Sequence, residues 1–403
     1  MLFDFSRYSA LLLIFFVHGL VYAGLLLQRA LRDGHRSDGW LAAFLLLCAA
    51  YIAPWMLGFA GWYDTQPYRD FLFYFPFQHL YALGPVVYFY TQSLLNPSFR
   101  FTKKAALHFL PAGLYLVYTG VIFITDRVLL GRYWFLASQS DPDFDLWYQL
   151  TGFGMMFYYA VRSLRYYRHF RRLMLQVTSY AEGLRFDWVR RFLLAFLSMI
   201  TLRVLAYGLS LLGFDDYSDS WWYYLGFALV FYYMAIRGYG NLQEGPVAYR
   251  PLPSGQETLL LLPATGLDAP GTYIADDEPI ANEAAPTEDP ELQLWKDRLA
   301  VHMRDAAPYK DPELSLSTLA RQLGLPAAQL SRVVNRGFAC NFNDFINGYR
   351  VRAVQTAIEA GEHRRQTLLG IAYDCGFNSK ATFNRAFLKG TGQSPRAFIK
   401  EGE

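Results

Sequence analysis

The chain has 403 residues, 53% of them hydrophobic and 18% aromatic, with a net charge of +3, and is long for a single domain. Its three cysteines, Cys48, Cys340 and Cys375, are odd in number and far apart, which excludes a disulfide framework or a CxxC metal pair. The seven histidines have no HExxH or other ligand spacing, so no metal and no cofactor is expected.

The small net charge conceals three zones. Residues 1–240 hold 20 Lys and Arg against 14 Asp and Glu, residues 241–290 hold 1 against 9, and residues 291–403 hold 16 against 11. The first zone contains seven apolar stretches, at about 8–28, 40–60, 71–95, 105–125, 145–167, 190–212 and 220–237. Each is near the ~20 residues an α-helix needs to cross ~30 Å of hydrocarbon. Trp40, Trp62, Tyr63, Trp134, Trp147, Tyr148, Trp221 and Trp222 stand at their ends, where amphipathic rings suit the headgroup layer. Arg29, Arg32 and Arg36 follow the first stretch instead of preceding it, which predicts a retained helix and not a cleaved signal peptide.

Loop charges alternate along this zone. Loops 28–39, 96–104 and 162–191 are rich in Arg and Lys, whereas the opposite set carries Asp64 and Asp70, then Asp126, Asp141, Asp143 and Asp145, then Asp215, Asp216 and Asp219. Basic loops accumulate on the cytoplasmic side. Seven spans with a periplasmic N-terminus in a bacterial inner membrane then put everything after residue 240 in the cytoplasm.

Three polar residues inside these stretches are candidates for a signal pocket. Gln78 and His79 lie in the third, beside Pro76 and Gly84-Pro85, where proline should kink the helix and free carbonyls. Arg203 lies in the sixth, where a charge is costly and should face the bundle interior with a partner. Residues 1–295 contain only Lys103 and Lys104, both in a basic loop, so no intramembrane amine exists for a retinal Schiff base.

Residues 241–290 read as an acidic, proline-rich flexible linker with one short apolar run, Leu259–Leu262. A coil of that length spans ~40 Å root-mean-square. Its acids, among them Asp276, Asp277, Glu278, Glu288 and Asp289, serve solubility or cover a basic partner face.

From Glu291 the pattern becomes helical and soluble. Ser315 caps a short helix with Leu316, Leu319, Ala320 and Leu323 on one face, Gly324 turns, and a second helix opens at Pro326 with Leu330, Val333 and Val334 inward. This is one helix-turn-helix, about 314–336. A longer amphipathic helix, about 342–360, follows with Phe342, Phe345, Ile346, Tyr349, Ala353, Ala357 and Ile358 at helical spacing. The motif then repeats over about 366–390: Thr367 caps, Gly376 turns, Phe377 plugs the core, Ser379 caps, and Phe383 and Phe387 face inward.

The double motif, with GF-x-S-x-x-x-F-x-R-x-F followed by G-x-S-P-x-x-F and the connecting NDFINGYRV, resembles the AraC family of bacterial transcription regulators over about 307–400. The whole layout resembles a membrane-embedded subset of that family with an N-terminal multi-helix region. The resemblance implies two helix-turn-helix units on one face of double-stranded DNA, reading successive major grooves. By position, Ala328, Ser331 and Arg332 would face the bases from the first unit, and Lys380, Ala381, Asn384 and Arg385 from the second. Arginine takes guanine O6 and N7 together, asparagine pairs with adenine, and an alanine methyl suits thymine. Arg336, Lys389, Arg396 and Lys400 are the phosphate-contact candidates.

The expectation is an all-α chain: a seven-helix membrane bundle (1–240), a linker (241–290) and an AraC-type DNA-binding domain (291–403). It would act without catalysis, coupling a periplasmic or membrane signal, small or lipid-like, to promoter binding in one-component signalling. The weak, salt-sensitive binding of one small basic domain motivates a homodimer through the membrane half. A transporter or membrane enzyme with a regulatory DNA-binding tail is the alternative; no HxxxxD, GxSxG, HExxH or P-loop supports an enzyme.

Overall fold

Long apolar runs make the first two elements helices, α1 (Arg7–Asp33) and α2 (Arg36–Phe59, which keeps Pro54 in its interior), joined by a turn at Gly34. Ser6 starts α1 by accepting from the Ser9 amide at 3.2 Å. In this computed structural model the described residues are 4–96, 99–137, 141–179, 187–211, 220–240, 247–251, 257–261, 272–275 and 290–402. The chain forms two units, Met1–Tyr167 with Asp187–Gly245, and Arg168–Phe186 with Pro246–Glu403.

The first unit continues with α3 (Tyr68–Tyr74), α4 (Leu80–Leu95), α5 (Lys103–Ala106), α6 (Leu110–Phe123, followed by a π-helical turn at Ile124–Leu129), α7 (Leu146–Val177), α8 (Asp187–Leu211) and α9 (Ser220–Tyr239). α1 packs on α2 and α9, α2 on α4 and α9, and α8 on α9. Leu12, Leu26, Leu41, Phe44, Ile52, Val87, Phe192 and Phe231 are buried between them. At one end Arg29 binds Asp38 through both carboxylate oxygens (2.5 and 2.8 Å) and the Tyr239 carbonyl (2.8 Å), tying α1, α2 and α9. Close approach uses small residues: a Cβ on Gly84 of α4 would meet the Tyr159 ring at 2.9 Å, and one on Gly152 of α7 would meet Leu80 at 2.7 Å.

Each of the seven expected stretches holds helix, but three helical segments among the described residues are long and apolar enough to cross a membrane by themselves: Arg7–Asp33, Arg36–Phe59 and Lys103–Leu129. The expectation of seven such helices is corrected on this point. The third stretch is broken instead of kinked, because Phe75–His79 with Pro76 separates α3 from α4. The fifth runs on to Val177 through Arg162, Arg165, Arg168, Arg171 and Arg172. α8 carries Arg190, Arg191 and Arg203, and α9 is rich in Tyr and Trp, whose polar atoms lower its hydropathy.

The second unit is helical apart from a small antiparallel sheet, β1 (Val247–Pro251), β2 (Glu257–Leu261) and β3 (Thr272–Ala275), in the order β1-β2-β3. Val247 pairs with Leu261, and Glu257 with Ala275. These strands fall within 241–290, where a flexible linker was expected; the rest of the described chain is helical, as expected of an all-α chain. Val, Thr, Ile and Tyr, punctuated by Pro and Gly, favour short strands there. Asp276, Asp277, Glu278, Glu288 and Asp289 lie outside the described residues.

Seven helices follow: α10 (Pro290–Asp305), α11 (Leu316–Leu323), α12 (Ala327–Arg332), α13 (Phe342–Glu359), α14 (Leu368–Asp374), α15 (Lys380–Thr391) and α16 (Pro395–Gly402). Ser315, Asn341, Thr367 and Ser379 cap α11, α13, α14 and α15 by accepting from Thr318, Asp344, Gly370 and Thr382 amides at 3.2, 2.8, 3.1 and 3.2 Å. Pro326 stands at the N-cap of α12, one position before the first turn expected of it. Val351, Val354 and Ile358 of α13 pack with Ile371, Phe377, Phe383 and Phe387 in one core, while Leu316, Leu319, Leu330, Val333 and Val334 are buried in the first motif.

Gly376 adopts φ +93°, and a Cβ there would lie 2.2 Å from the Tyr309 carbonyl oxygen. Both the backbone and the space require glycine. Gly376→Ala is expected to cost at least about 1–3 kcal/mol; thermal unfolding of the full chain followed by hydrogen exchange in 367–391 checks it, and an unchanged midpoint contradicts it.

Candidate functional site

Both helix-turn-helix units present their second helix outward. In the first, Arg332 is exposed while Ala328 and Ser331 are half-buried, with Ser331 Oγ accepting from Asn335 Nδ2 at 3.4 Å. β3 packs against the same helix, α12. In the second, Lys380, Ala381, Asn384 and Arg385 are all exposed on one side of α15, opposite the buried Phe383 and Phe387. The second motif therefore brings its four expected residues together on an open face, and the first opens mainly at Arg332.

The phosphate-contact candidates differ among themselves. Arg336 and Arg396 are exposed. Lys389 is engaged at 2.7 Å by Asp344 Oδ1, an ion pair that joins α15 to α13. Its ammonium has to leave or share that carboxylate to reach a phosphate, and an exposed pair of this kind is weak. The side chain of Lys400 lies outside the described residues. Arg321, Arg364 and Arg365 are further exposed cations on the same unit, unmarked in sequence because isolated surface arginines carry no pattern.

Arg350 is the residue that sequence reading passed over. It sits in α13, is 1% exposed, and donates from Nε to the Tyr309 carbonyl (2.8 Å) and from Nη2 to the Asp311 carbonyl (2.7 Å). Burial lowers its pKa to about 10, with Asp311 opposing, so it stays charged at neutral pH. It thus fastens the loop before the first helix-turn-helix to the helix connecting the two.

In the first unit, the break between α3 and α4 is filled by a buried polar cluster. Asp143 Oδ2 accepts from the Phe77 and Gln78 amides, both at 2.8 Å, and Oδ1 accepts from Tyr115 Oη at 2.5 Å. Gln149 Nε2 donates to Gln78 Oε1 (2.7 Å) and to the Asp143 carbonyl (2.5 Å), and Tyr148 Oη donates to the Gln78 carbonyl. The Tyr115 and Tyr148 rings stack at 3.9 Å. Gln78 Nε2, Gln149 Oε1 and Asp141 Oδ2 are buried without a hydrogen-bond partner among the described residues, so the cluster has capacity for an added polar group. Gln78 is at its centre; its partners are far in sequence and could not be foreseen. His79 is half-buried beside it. Arg203 belongs to a different cluster, 7% exposed, with its guanidinium 5.0 Å from the Tyr223 ring centre and 5.7 Å from that of Tyr224. The three signal-pocket candidates therefore do not form one site. Among the described residues no group of His, Cys, Asp and Glu is arranged to hold a metal.

Against known proteins, residues 319–401 match the family model of a helix-turn-helix domain. Among solved structures, a protein of unknown function from Listeria innocua is 25% identical, covering 27% of this chain and 96% of its own, with a TM-score of 0.23. No curated protein matches. The domain match supports an AraC-type helix-turn-helix and, with it, a DNA-binding regulator of transcription whose partner is DNA.

Two outcomes follow from these geometries. Arg385→Ala is expected to lower affinity for a bound site by about 1–3 kcal/mol and relax base preference at one position, read by binding to a randomised duplex library; an unchanged preference profile contradicts it. Asp143 is raised from 3.8 to about 6 by burial, against the opposing bonds from Tyr115, Gln78 and Phe77. The folded state then holds the proton more tightly than the unfolded state between those values, so stability should rise as pH falls from 7 towards 4. Asp143→Asn should flatten that slope in detergent melts, and an unaltered slope contradicts the assignment.

Proposed function

We propose that this chain is a membrane-integral, sequence-specific transcription regulator that couples a periplasmic or membrane signal to promoter binding, without catalysis. The observation that carries the membrane part is the reversed polarity of the first unit. Ile14, Val17 and Val21 of α1 are 61%, 48% and 52% exposed, Leu114, Val117 and Val121 of α6 are 61%, 64% and 49% exposed, and Val204, Leu205 and Leu229 of α8 and α9 exceed half. Meanwhile Gln78, Asp143, Gln149 and Arg203 are buried. Water-soluble proteins do not leave apolar faces of several adjacent helices open; hydrocarbon is the solvent that suits them.

Three segments span by length and composition alone. α4 packs along α2, α9 along α1 and α2, and α8 along α9, which supports crossing by these helices too, with their polar atoms turned to neighbours. Counting them with α7 keeps the number of crossings odd, in accord with the alternation of basic and acidic loops. The reading has a periplasmic N-terminus, an inner-membrane bundle and a cytoplasmic helix-turn-helix unit. The signal is a small or lipid-like molecule, and the Gln78 cluster is the best-equipped receiver for a polar group.

Reporter fusions in a bacterial inner membrane test this reading. A fluorescent protein that matures only in the cytoplasm, fused after Glu403, should be bright, and a periplasm-only phosphatase fused there should be inactive; the reverse pattern removes the proposal.

A further inference from the structure

α7 begins in the first unit at Leu146, directly after the Asp143 cluster, yet its residues from Arg168 onward, with Thr178 and Ser179, belong to the second. A helix of this length reaches about 48 Å. At its end Thr178 still donates its amide to Met174 at 3.0 Å, so Thr178 continues the hydrogen bonding of the helix and Ser179 follows directly on it.

These two residues are 1% and 0% exposed, because the DNA-binding unit encloses them. Ser179 donates to the Leu314 carbonyl from its amide (3.2 Å) and from Oγ (2.7 Å). Asn343 Nδ2 reaches the carbonyls of Thr178 (3.3 Å) and Ser179 (2.9 Å). Arg350 Nη2 donates to Ser179 Oγ at 3.1 Å and Nη1 to the Ser179 carbonyl at 3.4 Å. Thr178 also forms an isolated β-bridge with Ser315, the cap of α11.

The socket is a joint. Leu314 and Ser315 lead into α11, the first helix of the first motif, while Asn343 and Arg350 stand in α13, which connects the two motifs. The buried charge of Arg350 is met by hydrogen bonds to Tyr309, Asp311, Asn347 and Ser179 oxygens, with the Asp311 carboxylate acting on it electrostatically. Withdrawing Ser179 leaves Nη1 and Nη2 short of acceptors in a buried place, which loosens the hold on the 309–315 loop. The hydrogen bonds of the plug go to Leu314, Asn343 and Arg350, none of them a base-facing candidate.

We infer that the Thr178–Ser179 plug at the end of α7 is the input contact of the DNA-binding unit: seated between Leu314, Asn343 and Arg350, it holds the first helix-turn-helix in its reading geometry, and its withdrawal lowers DNA affinity. This rests on the reading of the chain as a membrane-integral DNA-binding regulator. α7 is then the element that carries a change in the first unit to the second, and Ser179 and Asn343 are positioning residues without contact to DNA.

The test uses the full chain in lipid nanodiscs and sheared genomic duplex as the probe, with Ser179→Pro, Asn343→Ala and the double variant. Ser179→Pro removes the amide donor from the plug side, and Asn343→Ala removes a donor from the socket side, so failure of one variant to fold leaves the other informative. Each single variant should raise hydrogen exchange across 309–316 and reduce retained DNA at least about 5-fold, the low end of ordinary coupling between sites. The double variant should lose no more than either single, since both break one contact. Faster exchange with DNA retention unchanged or increased, or strictly additive losses, overturns the proposal while the DNA-binding reading stands. Retention of no DNA by the unsubstituted protein overturns both, and the exchange measurement still reports whether the plug is seated.

Discussion

A guanidinium taken out of water has to be met by oxygens fixed in advance, and Arg350 meets this condition by gathering the chain around itself. Its acceptors come from Tyr309 and Asp311, from Asn347 one turn away, and from Ser179 more than a hundred residues earlier. No single local segment supplies them, so the DNA-binding unit closes properly only when the loop before α11, the helix α13 and the end of α7 are all in register. Gly376 joins the same junction from the second motif, since its bare Cα is what lets the chain approach the Tyr309 carbonyl. The two helix-turn-helix units are thereby fixed through one buried charge.

The first unit has the opposite polarity. Its helices turn Leu, Ile and Val outward and keep amides, carboxylates and tyrosine hydroxyls inside, where each must find a partner. Asp143 shows one way that is met: two backbone amides at the α3–α4 break, left bare by the interruption near Pro76, are taken up by a single carboxylate. Arg203 is met by aromatic faces instead. A break that is needed for packing also creates the place where spare hydrogen-bonding groups, Gln78 Nε2 and Gln149 Oε1, are concentrated.

Local features were legible in the residues. Ser315, Thr367 and Ser379 announce their helices because a cap needs only its next three residues, and Gly324 and Gly376 mark turns because positive φ is costly for other residue types. The burial of Arg203 was legible from its place inside an apolar stretch. Long-range features were not legible. Nothing in TSY or NDF shows that Ser179 meets Asn343, because that contact joins positions 164 apart in the chain. The strands in 247–275 were hidden by the prolines around them, and the break at Phe75–His79 was read as a kink because proline permits either. Among the described residues only three of the seven stretches are long and apolar enough to span by themselves, because Tyr, Trp and Arg make the other helices polar in composition.

The central claim is that two groove readers, held rigidly by α13, act on DNA from a chain embedded in the bilayer. Sequencing the DNA crosslinked to the full-length protein in intact cells measures this most directly. Discrete sites are expected, each carrying two motifs about 10 bp apart, one helical turn, as two fixed units on one DNA face require. Recovery no greater than for an unrelated membrane protein, or sites with two motifs at no constant spacing, would contradict it.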